Sequence, residues 1–323
     1  TGKVIANARG RASGKDRVLD ATTRLVTDVR TALGDETSED AQRFAMVTLS
    51  ATSLEVVRYH AAALDAVSNG KYEQALENYS KAVELDPKFG VGYQGMAVAA
   101  RNLGRLQDAD KYSNEALRHI DSMTERERLG TRGLSYRLMG DYQQCVKEYS
   151  ELLARYSADV TGLNQVALCQ SNLRNWPKAL EEVRRAVSIL PSRTLYRTNL
   201  ALYENYAGNF QNGEKEAEAI KEPSSTSILA LAFSQVGQGR LSEAAETYQK
   251  AATIDARGAS RATSGLADLA LFEGRFSEAV RILEKGAADD LASKSPDRAA
   301  TKLAALAYVR LSQRNNAAAV AAA

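Results

Sequence analysis

Glycine residues recur along most of this chain at a nearly constant spacing. Successive members lie 34, 36, 68, 31 and 35 residues apart, and the interval of 68 is two periods of 34 with Arg174 at its centre. The glycines are Gly70, Gly104, Gly140, Gly208, Gly239 and Gly274. A period of this length indicates one supersecondary unit stacked on copies of itself, because a single unit cannot bury its own apolar face.

Three further positions carry a residue of similar size in every period. A large apolar residue follows each turn by two positions: Tyr72, Leu106, Tyr142, Trp176, Phe210, Leu241 and Phe276. A small residue follows by five: Ala75, Ala109, Cys145, Ala179, Gly213, Ala244 and Ala279. Another small residue precedes each turn by seven: Ala63, Ala97, Gly133, Ala167, Ala201, Ala232 and Ala267. Two small sites in each period predict two helices of about 14 residues that cross closely around each turn.

The composition favours an all-helical protein. The chain of 323 residues has a formal net charge of +2 and is 44% hydrophobic, which argues against a binder that depends on phosphate contacts and against a disordered chain. No apolar run reaches the length of about 18 residues that a membrane span needs. The five prolines fall outside the predicted helix interiors; Pro87 follows a second helix and Pro177 begins one.

The segment from Gly70 to Pro87, GKYEQALENYSKAVELDP, resembles the second helix of a tetratricopeptide repeat. Seven full copies are predicted over residues 56–287, and residues 288–323 are predicted to form a loop and a truncated eighth repeat. The resemblance implies an all-α fold, a right-handed superhelical solenoid of antiparallel helix pairs. The fifth copy is short and broken at Pro223, where we expect a bend or a mobile joint.

Residues 1–55 are expected to be a linker with capping helices over 16–33 and 40–49 and a strand near Thr1. Four motifs resemble the C-terminal region of bacterial membrane-anchored, eukaryotic-like Ser/Thr kinases and related signalling proteins: KDRVLD from Lys15, VRTALGD from Val29, ATSLE from Ala51 and MTERER from Met123. That resemblance implies an extracytoplasmic sensing or docking region, with a cytoplasmic location as the alternative. The chain starts at Thr1 without a signal-peptide pattern, so we expect it to be a fragment of a longer protein.

Motifs for catalysis and cofactor binding are weak. The stretch over residues 10–16 lacks the spacing and the hydroxyl residue of a phosphate-binding loop. His60 and His119 have no Cys or His beside them at helical spacing, so no metal site is predicted. Cys145 and Cys169 are expected to be buried free thiols, with a disulfide as the alternative in an oxidising compartment. We therefore expect no enzymatic activity and no cofactor.

The resemblance also implies a concave groove, lined by the first helix of each repeat, in which partner peptides lie. One row of equivalent repeat positions along this groove is nearly all apolar. These side chains would either contact a partner or pack over the joints between helices. Amides beside it could pair with a peptide backbone, and two arginines could receive a carboxylate. The partner-binding candidates are His60, Leu64, Gln94, Val98, Arg101, Asn102, Leu134, Arg137, Asn164, Leu168, Asn172, Leu202, Asn205 and Phe233. Leu64 stands where the carboxylate clamp of some family members needs Asn, which disfavours docking of chaperone tails.

We predict a noncatalytic scaffold that binds a protein or peptide segment in this groove. Neither a nucleic-acid partner nor insertion of this segment into a membrane is expected. The alternative is a sensor that binds a small molecule or a short secreted peptide and changes its superhelical shape at Pro223.

Overall fold

The computed structural model describes residues 50–68 and 70–322, together with residues 9–11, 13, 14, 21, 25 and 28. The expected strand near Thr1 and the expected capping helices over 16–33 and 40–49 lie largely outside the described residues. The rest of the described chain is helical throughout, as the sequence predicts.

Sixteen α-helices follow one another in residues 50–68 and 70–322, and consecutive helices pack as pairs. The odd-numbered helices are the first of each pair: α1 (Leu54–Ser68), α3 (Gly90–Asn102), α5 (Glu125–Met139), α7 (Val160–Asn172), α9 (Thr194–Tyr206), α11 (Ser225–Gly237), α13 (Ala256–Phe272) and α15 (Pro296–Ser312). The even-numbered helices are the second: α2 (Tyr72–Leu85), α4 (Leu106–Arg118), α6 (Tyr142–Arg155), α8 (Trp176–Ile189), α10 (Phe210–Glu218), α12 (Leu241–Ala252), α14 (Phe276–Ala292) and α16 (Asn316–Ala322). One 3-10 turn, Ile120–Ser122, precedes α5. The prediction of an all-α solenoid of helix pairs is confirmed.

The turn inside each pair has a left-handed residue. All six periodic glycines have φ between 70° and 83°, a region that costs a residue with a Cβ roughly 1–2 kcal/mol. Arg174 occupies the same place between α7 and α8 with φ 57°, and Arg314 does so between α15 and α16 with φ 59°. The backbone geometry of the repeat is therefore kept even where glycine is absent.

The small residues of the repeat lie where the two helices of a pair cross. In five pairs both members are buried to within 1% of complete: Ala63 with Ala75, Ala97 with Ala109, Ala167 with Ala179, Ala232 with Ala244, and Ala267 with Ala279. Neighbouring pairs then join through larger side chains. A Cβ added at Gly95 of α3 would lie 2.2 Å from the ring of Tyr79 in α2, so the missing side chain of Gly95 makes room for that ring.

The chain divides into two compact units, residues 1–165 and 166–323. The first has a core cluster that joins α1, α2 and α3 through Ala63, Ala66, Ala75, Tyr79, Val83, Met96 and Ala99. The second has one cluster of Ala167, Ala179, Leu180, Val183, Leu200 and Tyr203, and another of Ala267, Val280, Leu283, Leu306 and Val309. Each unit thus has apolar cores that join successive helix pairs.

The fifth pair differs from the four before it because its second helix, α10, has only 9 residues. The neighbouring first helices α9 and α11 contact each other directly and share buried hydrogen bonds. The Thr198 and Ser227 hydroxyl groups lie 2.9 Å apart, and Asn205 Nδ2 donates to the Ala230 carbonyl over 2.9 Å. The expected mobile joint at Pro223 is therefore bridged by polar contacts that opening would break.

Two expectations need correction at other points of the chain. Residues 288–323 do not begin with a loop, because α14 continues to Ala292 and only residues 293–295 separate it from α15. Cys145 and Cys169 are buried as expected, but both are disulfide-bonded, and the described residues include no free cysteine. The expectation of free thiols is therefore corrected.

Candidate peptide-binding surface

Within each unit, the first helices of neighbouring pairs touch one another: α1 with α3 and α3 with α5 in the first unit, and α9 with α11, α11 with α13 and α13 with α15 in the second. Their solvent-facing side forms a surface that we call the first-helix face of that unit. The face is clear on α13, where Arg257, Arg261, Ser264 and Asp268 are unburied at helical spacing.

The first unit presents several predicted residues on this face. Leu64 is 48% exposed, and Val98, one repeat on, is partly buried. The Gln94 amide reaches toward Gly130 of the next first helix, with Nε2 3.9 Å from the position a Cβ would take there. Arg101 is exposed at the end of α3. These side chains form a mixed apolar and polar surface, and their role in partner binding stays a prediction.

Three predicted contact residues are buried and are removed from the candidate surface. Leu134 is 3% exposed and Asn164 is 5% exposed, so neither reaches a partner from the surface. Asn205 is buried and its amide is already used: it donates to Ala230 and accepts a hydrogen bond from Ser234 Oγ over 2.9 Å. Mapping by equivalent repeat positions placed these residues on first helices. Their side chains are nevertheless buried in the core.

The remaining predicted polar residues are engaged within the protein. The Nδ2 of Asn102 donates to the Val98 carbonyl over 2.9 Å, and that of Asn172 donates to the Leu168 carbonyl over 2.8 Å. Arg137 lies close enough to Tyr149 for its charge to lower the pKa of that phenol, against the larger raising effect of burial. These groups are held by their own helix or its neighbour before any partner arrives.

His60 is not a charged groove residue. Its ring centroid lies 5.8 Å from that of Tyr79 and 5.5 Å from that of Phe89, and burial lowers the pKa of the imidazole to about 4. A neutral ring packed between two aromatic side chains contributes to the core that joins the first two pairs. The described residues also include no group of three or more His, Cys, Asp or Glu side chains arranged to hold a metal ion.

The second unit carries an aromatic cluster on its first-helix face. Tyr206, at the end of α9, is 52% exposed and stacks on Trp176 with ring centroids 5.2 Å apart. Its other side meets Phe233 of α11 at 5.3 Å in an edge-on arrangement, and Phe233 approaches Phe210 at 6.2 Å. Predicted residues Leu168, Leu202 and Phe233 are partly buried here. Sequence reasoning missed Tyr206, although its position four residues after Leu202 puts it on the same face.

Beyond the aromatic cluster the face becomes polar. The pKa of Tyr248 is raised to about 12, mainly by burial and to a smaller extent by the charges of Asp268 and Tyr206. Burial likewise raises the pKa of the Asp268 carboxyl. Arg261 is exposed on one side, yet protein around its other sides removes enough water to lower the pKa of its guanidinium, and Arg257 and Arg298 lower it further. This group of arginines was not predicted, although Arg257 and Arg261 are one turn apart on a first helix.

The tetratricopeptide repeat family model matches residues 60–119 and 229–296, one segment in each unit. These two segments resemble tetratricopeptide repeats. Tetratricopeptide repeat protein 6 of Homo sapiens is 25% identical over 119 residues, which is 37% of this chain and 22% of that protein's length. A solved tetratricopeptide repeat protein from Parabacteroides merdae ATCC 43184 is 16% identical and matches 76% of this chain and 98% of its own with a TM-score of 0.47.

Helix pairs continue between the two matched segments, where α5 to α10 keep the same order of first helix, turn and second helix. Such repeats generally mediate contacts between proteins. Nowhere in the described residues is a helix both long and apolar enough to cross a membrane.

Proposed function

We propose that this chain is a noncatalytic scaffold that binds a peptide segment of a partner protein on its first-helix face. The observation that carries the proposal is the exposed aromatic cluster of the second unit. Tyr206 keeps about half of its surface in solvent although it stacks on Trp176 and contacts Phe233. Aromatic side chains that are fixed by neighbours and still accessible are typical anchors for partner side chains.

A selection from a displayed library of random peptides, made against the full chain, tests the proposal. Selected peptides are then titrated against Tyr206→Ala and Phe233→Glu variants and against Leu291→Glu as a control. Leu291 is also an exposed apolar residue, 55% accessible, but it lies on the second helix α14.

We expect the Tyr206 and Phe233 variants to bind at least about tenfold more weakly, since an interface anchor contributes more than roughly 1–2 kcal/mol, and the Leu291 variant to bind as the parent does. Thermal unfolding of each variant checks that Phe233→Glu remains folded; Tyr206→Ala removes a largely exposed ring. Equal affinity for parent and face variants, or no peptide above background, would refute the proposal.

Within this proposal, the scaffold serves as the docking or sensing region of a bacterial signalling protein on the extracytoplasmic side of a membrane. Its support is the set of motifs near Lys15, Val29, Ala51 and Met123, together with the disulfide-bonded state of both cysteines. Trapping thiols with iodoacetamide in cells of the source organism, followed by mass spectrometry, tests the compartment. Alkylated cysteines without prior reduction would place the chain in a reducing compartment.

A further inference from the structure

A depression opens on the second unit where the turn between α9 and α10 meets the end of α11. Its volume is about 410 Å³, within the range of roughly 300–1,000 Å³ that is common for ligand pockets. It is lined by two glycines, the ring of Phe210 and four side-chain amides, those of Asn209, Gln211, Asn212 and Gln238. None of these lining residues, all of which the structure describes, has an ionisable side chain.

Two of the four amides are held in one orientation by carboxylates. Asn209 Nδ2 donates to Glu204 over 2.9 Å, and Gln238 Nε2 donates to Glu214 over 2.8 Å. Because an ionised carboxylate only accepts hydrogen bonds, the nitrogen of each amide must face it. The side-chain oxygens of Asn209 and Gln238 accept no hydrogen bond from the described residues, so they can accept one from a ligand.

The two carboxylates that hold these amides are themselves paired with arginines. Arg184 bonds Glu204 over 2.6 Å, and Arg240 bonds Glu214 directly. Neither carboxylate stands unpaired beside the depression. A charged group of a ligand would therefore lose water there without gaining an unpaired opposite charge, which is more costly than placing an uncharged polar group in the same position.

The other two amides supply donors as well as acceptors. Gln211 and Asn212 are exposed in the first turn of α10, and neither side chain forms a hydrogen bond with the described residues. Donors and acceptors thus line the depression together, and a side-chain amide of a ligand carries both. A carboxylate could use only the donors and an ammonium group only the acceptors.

Phe210 connects this depression to the aromatic cluster. A Cβ at Gly237 would lie 2.1 Å from the Phe210 ring, so the missing side chain of Gly237 makes room for that ring against α11. The centroid of the Phe210 ring lies 6.2 Å from that of Phe233, which lies 5.3 Å from that of the exposed Tyr206. Three or four residues of extended chain, at about 3.3 Å each, span these two steps.

We propose that the second unit recognises a peptide segment in which an Asn or Gln side chain follows or precedes an apolar anchor by three or four residues. The anchor packs on Tyr206 and Phe233, and the amide enters the depression beside Asn209 and Gln238. The inference rests on the proposed peptide-binding function and names the chemistry of the partner segment.

Fluorescence polarisation with the full chain tests the proposal. The probes are fluorescein-labelled, C-terminally amidated peptides in which a leucine–tyrosine pair and one variable position are separated by glycine and serine. The variable position is glutamine, glutamate, lysine or leucine, and it stands before the pair in one series and after it in the other, so that both chain directions are sampled.

The peptides are titrated against the parent chain and against Gln238→Met, Gln211→Met and Gln313→Met. Gln313→Met is the matched control, because Gln313 is the C-cap of α15 just as Gln238 is the C-cap of α11. Gln238→Met also removes the hydrogen bond to Glu214, so thermal unfolding of each variant is measured beside binding. Gln211→Met changes a side chain without hydrogen bonds to the described residues and keeps the test independent of folding.

We expect the glutamine peptide of one series to bind the parent about tenfold more tightly than its glutamate, lysine and leucine counterparts, as one or two hydrogen bonds would give. Gln238→Met and Gln211→Met should each remove most of that preference and Gln313→Met none of it. Salt should leave the preference for glutamine over leucine unchanged, since neither side chain is charged.

Tightest binding of the glutamate, lysine or leucine peptide, equal binding of all four or no binding would overturn the inference. So would a preference for glutamine that persists in both Gln238→Met and Gln211→Met. The two proposals fail separately: display-selected peptides that depend on Tyr206 but not on Gln238 or Gln211 would keep peptide binding and eliminate amide recognition.

Discussion

Lys302 and Asp290 form an almost completely buried ion pair within the last two helix pairs. Lys302 is 2% exposed and Asp290 is 6% exposed, and the Lys302 ammonium group bonds a carboxylate oxygen of Asp290 directly. Ser260 completes the group: Lys302 Nζ donates to its hydroxyl oxygen over 2.6 Å, and that hydroxyl donates to Asp290 over 2.9 Å. Three residues from α13, α14 and α15 are thus joined by one buried polar contact.

Removing one member of this pair should destabilise the second unit strongly. Lys302→Met leaves the Asp290 carboxylate buried without its partner, and we expect a loss of about 3–5 kcal/mol in the free energy of unfolding. The double variant Lys302→Met/Asp290→Leu should recover most of the loss, because apolar side chains of similar volume need no desolvated charge. Urea unfolding measures both.

The matched control is Arg310→Met, which breaks the more exposed pair of Arg310 with Glu284 and should cost less than about 1 kcal/mol. If Lys302→Met and Arg310→Met lowered the free energy of unfolding equally, burial of the Lys302–Asp290 pair would not explain the loss.

Replacing Arg174 by glycine should stabilise the protein. Arg174 has φ 57° at a turn where glycine stands in most other repeats. Because glycine adopts this left-handed conformation without the steric cost of a Cβ, Arg174→Gly should raise the free energy of unfolding by roughly 1 kcal/mol. The reverse change, Gly140→Ala, should destabilise by a similar amount, since Gly140 has φ 80°. Thermal unfolding by calorimetry checks the opposite signs. A lower melting temperature for Arg174→Gly would show that the arginine side chain makes a compensating contact.

Gly213→Ala should disturb the polar contact between α9 and α11. A Cβ at Gly213 would lie 2.1 Å from Asn205 Oδ1 and 3.0 Å from the Ala201 carbonyl, so the Asn205 amide would have to leave its buried hydrogen bonds. We expect a loss of about 1–3 kcal/mol in unfolding free energy. The neighbouring exposed substitution Asn212→Ala should change it by less than about 0.5 kcal/mol. Chemical denaturation of the two variants measures these changes. An unfolding free energy left unchanged by Gly213→Ala would indicate that α10 can shift to make room for the added methyl group.

His60 should contribute to acid sensitivity of the first unit. The folded-state pKa of about 4 lies below the ordinary value of 6.5, so the unfolded chain binds a proton more readily between these values. Stability from the neutral imidazole is complete above about pH 6.5 and falls as the pH drops toward about 4. Titration of the His60 ring by NMR should give a midpoint near 4, and His60→Gln should reduce the slope of unfolding free energy against pH in this window. A midpoint near 6.5 would mean that the ring is solvated.

The sequence by itself determined the repeat architecture, because local chemistry fixes it. Glycine or a residue tolerant of positive φ is needed at each turn, and small residues are needed where two helices cross, so both leave a periodic trace. The helix pairs, their number and the turn at Arg174 followed from that trace.

Only the tertiary structure decided which side chains of the first helices reach solvent. Leu134, Asn164 and Leu64 stand at closely related repeat positions, yet the first two are buried and Leu64 is exposed, since burial depends on how far neighbouring first helices approach. The same holds for Lys302 and for the arginines around Arg261. A charge that is paired in the core and one that faces a groove look alike in sequence, and the neighbours that distinguish them come from different repeats.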